Sequence, residues 1–150
     1  MIKNLNAYSQ KLGDLIPQDF IFIPIRISLF LIFWKSVQTK IEGLTFFGQH
    51  FAFWNVNSST MTLFAYEYSV PFIPYEIAAY TATISEFFFS ILVLIGLFTC
   101  FSALGLLIIT VVIQLFVYPE AWQTHLVWVA MLLVLIKQGA GKWGVDAIYK

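Results

Sequence analysis

Residues 76–98, EIAAYTATISEFFFSILVLIGLF, decide the fold of this chain. After Glu76, the stretch contains one charged residue, Glu86, close to its midpoint. About 20 predominantly apolar residues let a helix cross the hydrocarbon core of a bilayer, so this stretch predicts a transmembrane helix. The whole chain agrees, because 60% of its 150 residues are apolar and 11% are charged, whereas soluble domains contain about 25% charged residues.

Three further stretches have the same character. Together they predict an all-α membrane protein, a single domain over residues 1–150 that forms a bundle of four transmembrane helices. The predicted spans cover approximately residues 20–41, 76–98, 101–118 and 121–137. The first 19 residues lack the features of a signal peptide, and we expect them to be retained.

The long connection between the first two spans, residues 42–75, is rich in Phe, Trp and Tyr and is called the lid here. Aromatic side chains favour the headgroup interface, so we expect an aromatic interfacial loop that lies on one membrane face. Hydroxyl residues at 58–60 are candidate caps for a short helix over residues 61–68, which would end before Pro71.

An even number of spans places both termini on one side of the membrane. That side would hold six of the eight basic residues, namely Lys3, Lys11, Arg26, Lys137, Lys142 and Lys150. Because positive charge accumulates on the cytoplasmic side, we expect cytoplasmic N- and C-termini and an outward-facing lid.

Ionisable side chains within spans cost roughly 2.5–3.5 kcal/mol each on insertion scales, so they are default functional candidates. Arg26 and Lys40 fall on one face of the first span. Glu86 shares a face with Thr83 and Ser90, whose small side chains favour close helix packing. Glu86 is either a structural carboxyl, which is protonated or bonded to Arg26 or to a hydroxyl, or it is a proton relay or ligand anchor. The residues leave both interpretations open.

Gln114 and His125 each lie about one turn from the lid side of their spans, and Trp128 follows His125 on the same helix face. This group would suit a planar, partly polar molecule such as a quinone head group. Plain hydrogen bonding between the two helices is the competing explanation. A haem with two His ligands is disfavoured because His50 lies in the lid, and no metal site is predicted.

Composition and motifs argue against several other classes. The formal net charge is zero and no basic run occurs, so we expect no binding to nucleic acid. Cys100 is the single cysteine, which excludes an intramolecular disulfide or a redox-active cysteine pair. The motifs of hydrolases, metalloproteases and nucleotide-binding loops are missing, so no catalytic residue is predicted and enzymatic activity is left open.

The ordered set of these residues resembles the DoxX family of small bacterial and archaeal four-helix membrane proteins. The resemblance covers about residues 22–147 and is carried by Arg26 through Lys40, Tyr66-Glu67-Tyr68 with Val70-Pro71, Ala78-Ala79 with Glu86, Val112-Ile113-Gln114, His125 with Trp128, and Gly139-Ala140-Gly141 with Asp146. The Glu-Tyr-x-Val-Pro and Val-Ile-Gln pieces look most like a subgroup found beside peptide-modifying enzymes. Where the family often has Thr-Arg, this chain has Thr99-Cys100.

The resemblance implies a multi-pass protein of the bacterial cytoplasmic (inner) membrane. Its framework would be Arg26, Lys40 and Glu86, with Asp146 at the cytoplasmic end. Relatives act as membrane subunits of oxidoreductase systems, including electron transfer from thiosulfate to quinone. The resemblance therefore implies the lipid bilayer and protein partners of a redox or peptide-modification system.

We therefore hypothesise a membrane subunit of a redox or stress-response system that holds a quinone or another apolar ligand. Glu86, Gln114 and His125 would line the site. The lid above it would contribute Tyr66, Glu67, Tyr68 and Pro71. The alternative hypothesis is a non-catalytic assembly protein that docks a partner chain or passes a small solute.

Overall fold

The computed structural model describes residues 2–68 and 70–149. Lys150 and the side chain of Lys3, both counted above among the cytoplasmic charges, lie outside the described part. The elements in chain order are α1 Ile2–Gly13, α2 Gln18–Lys40, β1 Thr45–Phe46, β2 Gln49–His50, α3 Ser58–Tyr66, α4 Tyr75–Ile95, α5 Thr99–Val112 with a π-helical continuation Ile113–Val117, α6 Trp122–Gln138 and a final 3₁₀ turn Val145–Tyr149. The sequence did not predict α1 as a helix.

The long helices α2, α4, α5 and α6 pack side by side around a common core. α2 contacts α4, α4 contacts α5, α5 contacts α6, and α6 contacts α2 in turn. Fully buried Leu29, Phe33, Leu106, Leu132 and Leu135 fill the space between them. One end of this assembly carries the lid and is called the lid end; the other carries the C-terminal tail and is called the terminal end.

The structure is an all-helical membrane fold apart from one short hairpin. Within the described residues, three helices are long and apolar enough to cross a membrane, namely Gln18–Lys40, Tyr75–Ile95 and Thr99–Val117. α6 has 17 residues, slightly fewer than the roughly 20 that usually span the hydrocarbon core. Large apolar side chains such as Leu31, Ile77, Ile108 and Leu133 are exposed on the outer faces, as lipid contact requires.

The lid is more ordered than the sequence predicted. β1 and β2 form an antiparallel hairpin, and Trp34 of α2 fixes it by donating its indole N–H to Gln49 Oε1 at 2.8 Å. α3 begins at Ser58 and not at residue 61, because its cap is Asn57 and not a hydroxyl residue. The Asn57 Oδ1 atom accepts the backbone N–H of Thr60 at 2.8 Å.

Arg26 bonds backbone carbonyls of two different segments at the terminal end. Its Nε donates to the carbonyl of Val93 at 3.1 Å and its Nη2 donates to that of Leu94, while its Nη1 donates to Ala140 at 3.3 Å. The carbonyls in the last turn of a helix lack partners within that helix and attract positive charge, so Arg26 serves as a cap for α4. The interpretation that Arg26 bonds Glu86 is therefore wrong.

Asp146 fixes the tail to the same end. Its carboxylate accepts hydrogen bonds from the backbone N–H groups of Phe98 at 2.8 Å and Thr99 at 2.9 Å. N–H groups at the start of a helix such as α5 have no partner within the helix. Its own N–H donates to the carbonyl of Gly96 at 2.8 Å. Asp146 thus lies at the end of the molecule where Arg26 lies, and its negative charge suits the N-terminus of a helix.

Gly96 and Gly48 provide a matched test of this tail packing. Both have a positive φ, of 71° and 72°, and Gly48 lies in the tight turn between β1 and β2, so alanine at either site carries a backbone penalty of about 1–2 kcal/mol. A Cβ at Gly96 would also lie 2.6 Å from the Gly144 Cα, whereas among the described residues nothing lies within 4 Å of a Cβ at Gly48. We expect Gly96→Ala to lose about 1–3 kcal/mol more than Gly48→Ala in thermal unfolding in detergent. Equal losses would contradict the tight packing of the tail.

Candidate functional site

A cavity of about 470 Å³ lies at the lid end. Its size is typical of small-molecule sites, which occupy roughly 300–1,000 Å³. Most of the surface of its wall is apolar, and α3, α4, α5 and the π-helical segment contribute aliphatic side chains to it. Hydroxyl groups add scattered polarity and belong to Ser36, Thr39, Ser59, Thr60, Thr81 and Ser85.

An ion pair between Lys40 and Glu86 forms the polar part of the cavity wall. The Lys40 Nζ atom lies 2.6 Å from Glu86 Oε2 and 2.7 Å from Ser36 Oγ. The Glu86 side chain is 1% exposed and that of Lys40 is 14% exposed. Among the described residues that line the cavity, these two carry the charges. The cavity wall therefore has no net formal charge.

Helix geometry explains why Lys40 and not Arg26 reaches Glu86. Arg26 and Lys40 are about 21 Å apart along α2, at about 1.5 Å per residue. Glu86 lies about 12 Å from Leu94 along α4 by the same rise. Because Arg26 bonds Leu94, Glu86 lies between the levels of Arg26 and Lys40 along the bundle. The Lys40 side chain reaches it because it points back toward the N-terminus of α2, where it also bonds Ser36 one turn earlier.

The buried face predicted for α4 is confirmed. Thr83, Glu86 and Ser90 are all at most 1% exposed. Thr83 and Ser90 donate their hydroxyls to carbonyls within α4, at 2.8 and 3.1 Å. They are therefore satisfied locally, and Glu86 depends on Lys40 for its partner.

Tyr68 and Tyr118 join the lid to α5 above the cavity. Their hydroxyl oxygens are 3.1 Å apart, and their rings meet edge to face with centroids 6.0 Å apart. Burial raises the pKa of the Tyr68 hydroxyl well above its usual value, and the hydrogen bond to Tyr118 adds to the shift. Tyr68 therefore stays protonated at neutral pH and can donate a hydrogen bond.

The π-helical segment Ile113–Val117 also borders the cavity, through Ile113, Val117 and the Tyr118 that follows. The sequence did not indicate this segment. Short π-helical turns occur frequently at functional sites, because the wider turn shifts side chains relative to a regular α-helix.

Gln114 and His125 bond to each other but are not among the residues that line the cavity. The Gln114 Nε2 donates to the carbonyl of Pro119 at 2.6 Å, so its Oε1 is free to accept the His125 Nδ1–H, also at 2.6 Å. The structure therefore shows the hydrogen bond between α5 and α6 that was the competing explanation. Trp128 packs between His125 and Phe33, with ring centroids 4.8 and 5.6 Å away.

Of the predicted lid residues, Tyr68 lines the cavity. Tyr66 is 86% exposed, Glu67 is exposed, and Pro71 is half-buried; none of these three lines the cavity. Six other described lid residues line the cavity and were missed from the sequence, namely Ser59, Thr60, Leu63 and Phe64 on α3 and Val70 and Ile73 after it. Within the described residues, no three His, Cys, Asp or Glu side chains come together in a way that could hold a metal.

These features define a small helical membrane protein with an apolar cavity and a buried ion pair at one end. A model of the DoxX family matches residues 21–119, which are 99 of the 150 residues, so the chain belongs to the DoxX family. The matched range includes α2, α3, α4 and α5, and hence every element of the cavity wall. The resemblance inferred from the sequence is confirmed.

One relative is an uncharacterized protein of Haemophilus influenzae. The two are 35% identical over 86 residues, which cover 52% of this chain and 57% of that protein. The match therefore spans little more than half the length of that relative. No solved structure gives a significant match to the chain.

The ion pair makes a prediction about stability. Glu86→Leu leaves the Lys40 ammonium without a counterion. Lys40→Met leaves the Glu86 carboxylate without a counterion. Removing one partner of a buried pair typically costs about 3–5 kcal/mol, whereas replacing both with apolar residues is often neutral. We expect each single variant to unfold at a lower temperature in detergent, and Lys40→Met/Glu86→Leu to recover most of the loss. Additive losses in the double variant would show that the two side chains do not interact.

Proposed function

We propose that this protein is an integral membrane subunit of a redox or stress-response system and binds a quinone or another apolar ligand in the lid-end cavity. The observation that carries the proposal is an apolar cavity of about 470 Å³ with one ion pair, Lys40–Glu86, in its wall. Apolar walls with a few well-placed polar groups are the usual composition of small-molecule sites. The family resemblance supports the redox context.

Each polar group of the wall has a role in this proposal. Lys40 has three N–H donors, of which Glu86 and Ser36 take two, so one can bond a carbonyl or hydroxyl oxygen of the ligand. The Oε1 atom of Glu86 forms no hydrogen bond with the described residues and can accept one from a ligand hydroxyl. Tyr68 is a further donor at the roof of the cavity.

We propose four membrane spans, with α6 as the fourth, and a location in the bacterial inner membrane. α6 runs between the same two ends as the three longer helices. Of the described basic residues, Lys11, Arg26, Lys137 and Lys142 lie toward the terminal end, while Lys35 and Lys40 lie toward the lid end. By the positive-inside rule, this distribution supports cytoplasmic termini.

Ligand binding can be tested with decylubiquinone and two variants that gain the same ring. Ala82→Phe fills the cavity, because Ala82 lines it, whereas Leu104→Phe adds the ring on the outer face of α5. At 100 times its dissociation constant a ligand stabilises the folded state by about 2.7 kcal/mol. We expect decylubiquinone to raise the unfolding temperature of the wild type and of Leu104→Phe but not of Ala82→Phe. No rise for the wild type, or an equal rise for Ala82→Phe, would refute binding in this cavity.

Docking of a protein partner is the second candidate function, and the exposed aromatics of the lid favour it. Phe47, Tyr66 and Phe72 are all highly exposed, and aromatic residues are enriched in protein interfaces. The partner would belong to a redox or peptide-modification system. Under this alternative, Tyr66→Ala abolishes co-purification of the partner, and decylubiquinone leaves the unfolding temperature of the wild type unchanged.

A further inference from the structure

α4 and α5 make a close contact near the terminal end and enclose the cavity nearer the lid end. The contact is at Gly105, where a Cβ would lie 2.2 Å from the Phe89 ring. Three residues further along each helix toward the lid end, Glu86 and Ile108 already line the cavity. The missing side chain at Gly105 lets the helices touch there, and beyond this contact the cavity lies between them.

The exposure of two lining residues indicates that the cavity reaches the outer surface between these two helices. Thr81 of α4 and Ile108 of α5 line it, yet Thr81 is exposed on the outer face and Ile108 is 58% exposed. Ile108 is nine residues from the start of α5, or about 13.5 Å along a 19-residue helix about 28 Å long. A residue at that position lies near the middle of a membrane span, so the surroundings of this opening are hydrocarbon.

The charges of the wall restrict what can occupy the cavity. Lys40 and Glu86 neutralise each other at 2.6 Å, so a charged ligand would find no unpaired countercharge. Moving an ion into apolar surroundings without a counterion is costly. A neutral molecule with a hydrogen-bonding head avoids this cost and dissolves in the bilayer.

We infer that the cavity is loaded sideways from the bilayer, through the opening between Thr81 and Ile108, by a neutral membrane-dissolved amphiphile. The head of the ligand carries an oxygen acceptor for the free N–H of Lys40, and its apolar body lies along α5. This inference rests on the proposed function, because it specifies how the same cavity is reached and by which class of molecule. The rival route passes under the lid, where Ile73 and Tyr118 also line the cavity and are exposed.

Exchange kinetics test the route. Protein in nanodiscs is loaded with tritiated decylubiquinone, and its transfer to excess protein-free vesicles is followed. Ile108→Phe narrows the opening and should slow the exchange by about tenfold, since a ligand that passes a bulkier side chain meets a barrier about 1.4 kcal/mol higher. Ile108→Ala widens the opening and should speed the exchange. Leu104→Phe, one turn away on the same outer face, is the matched control and should exchange like the wild type.

The outcomes separate this inference from the proposed function. If the wild type binds no decylubiquinone, the proposed function and the inference both fail. If the wild type binds it but both Ile108 variants exchange at the wild-type rate, the sideways route is overturned and the cavity is still a ligand site. Faster exchange in Tyr118→Phe together with unchanged exchange in Ile108→Phe would assign entry to the lid.

A second measurement tests the class of ligand. Palmitate at pH 9 carries a carboxylate on a long apolar chain even in a membrane, and hexadecanol is its neutral counterpart. We expect hexadecanol to displace bound tritiated decylubiquinone and palmitate to displace it at least about tenfold less effectively, since an anion entering the cavity lacks a counterion. Displacement by palmitate at the same concentration as hexadecanol would overturn the restriction to neutral ligands.

Discussion

The ion pair between Lys40 and Glu86 is the interaction on which the electrostatic character of the lid-end cavity depends. It joins the last residue of α2 to the middle of α4, at a depth where a single charge would be unfavourable. At 2.6 Å and an effective dielectric constant of about 20, the attraction is about 6 kcal/mol. Desolvation costs several kcal/mol per ion, so the pair is close to neutral in its net effect on stability. An apolar pair of residues could hold the helices equally well, which favours a role for these charges toward a ligand.

The two ends of the molecule contrast in their packing. At the terminal end Arg26 caps α4, Asp146 caps α5, and Gly96 allows the tail to approach the turn between them. The charged groups of Arg26 and Asp146 are bonded there by backbone groups of other segments of the chain. At the lid end, the wall of the cavity retains a donor on Lys40 and an acceptor on Glu86. The closed end holds the helices in place, and the open end offers hydrogen-bonding groups to a ligand.

The helical membrane class and the buried face of α4 could be predicted because they depend on local pattern. Apolar runs set the helices, and a spacing of three or four residues placed Glu86 with Thr83 and Ser90 on the buried face of α4. The partner of Glu86 could not be predicted, because it depends on the register between α2 and α4 and on the direction in which the Lys40 side chain points. The relative positions of α4, α5 and α6 could not be predicted either. For this reason the prediction from sequence grouped Gln114 and His125 with Glu86, although those two residues do not line the cavity.

Features that depend on local backbone geometry could not be predicted from the sequence either. Asn57 caps α3, and three hydroxyl residues directly after it were equally plausible candidates. The π-helical segment Ile113–Val117 has no pattern that distinguishes it from the α-helix before it. Both shape the cavity, since α3 forms part of its wall and the π-helical segment borders it. The lining of the cavity is therefore a property of the tertiary structure.

The most direct measurement is the ionisation state of Glu86 in the membrane, by infrared difference spectroscopy of the protein in nanodiscs. The spectrum of Glu86→Gln is subtracted from that of the wild type, with exposed Glu67→Gln as the control. An ion pair with Lys40 predicts that the substitution at residue 86 removes carboxylate bands, as the control does. Loss of the carbonyl band of a protonated carboxylic acid would contradict the ion pair, and with it the electrostatic description of the cavity.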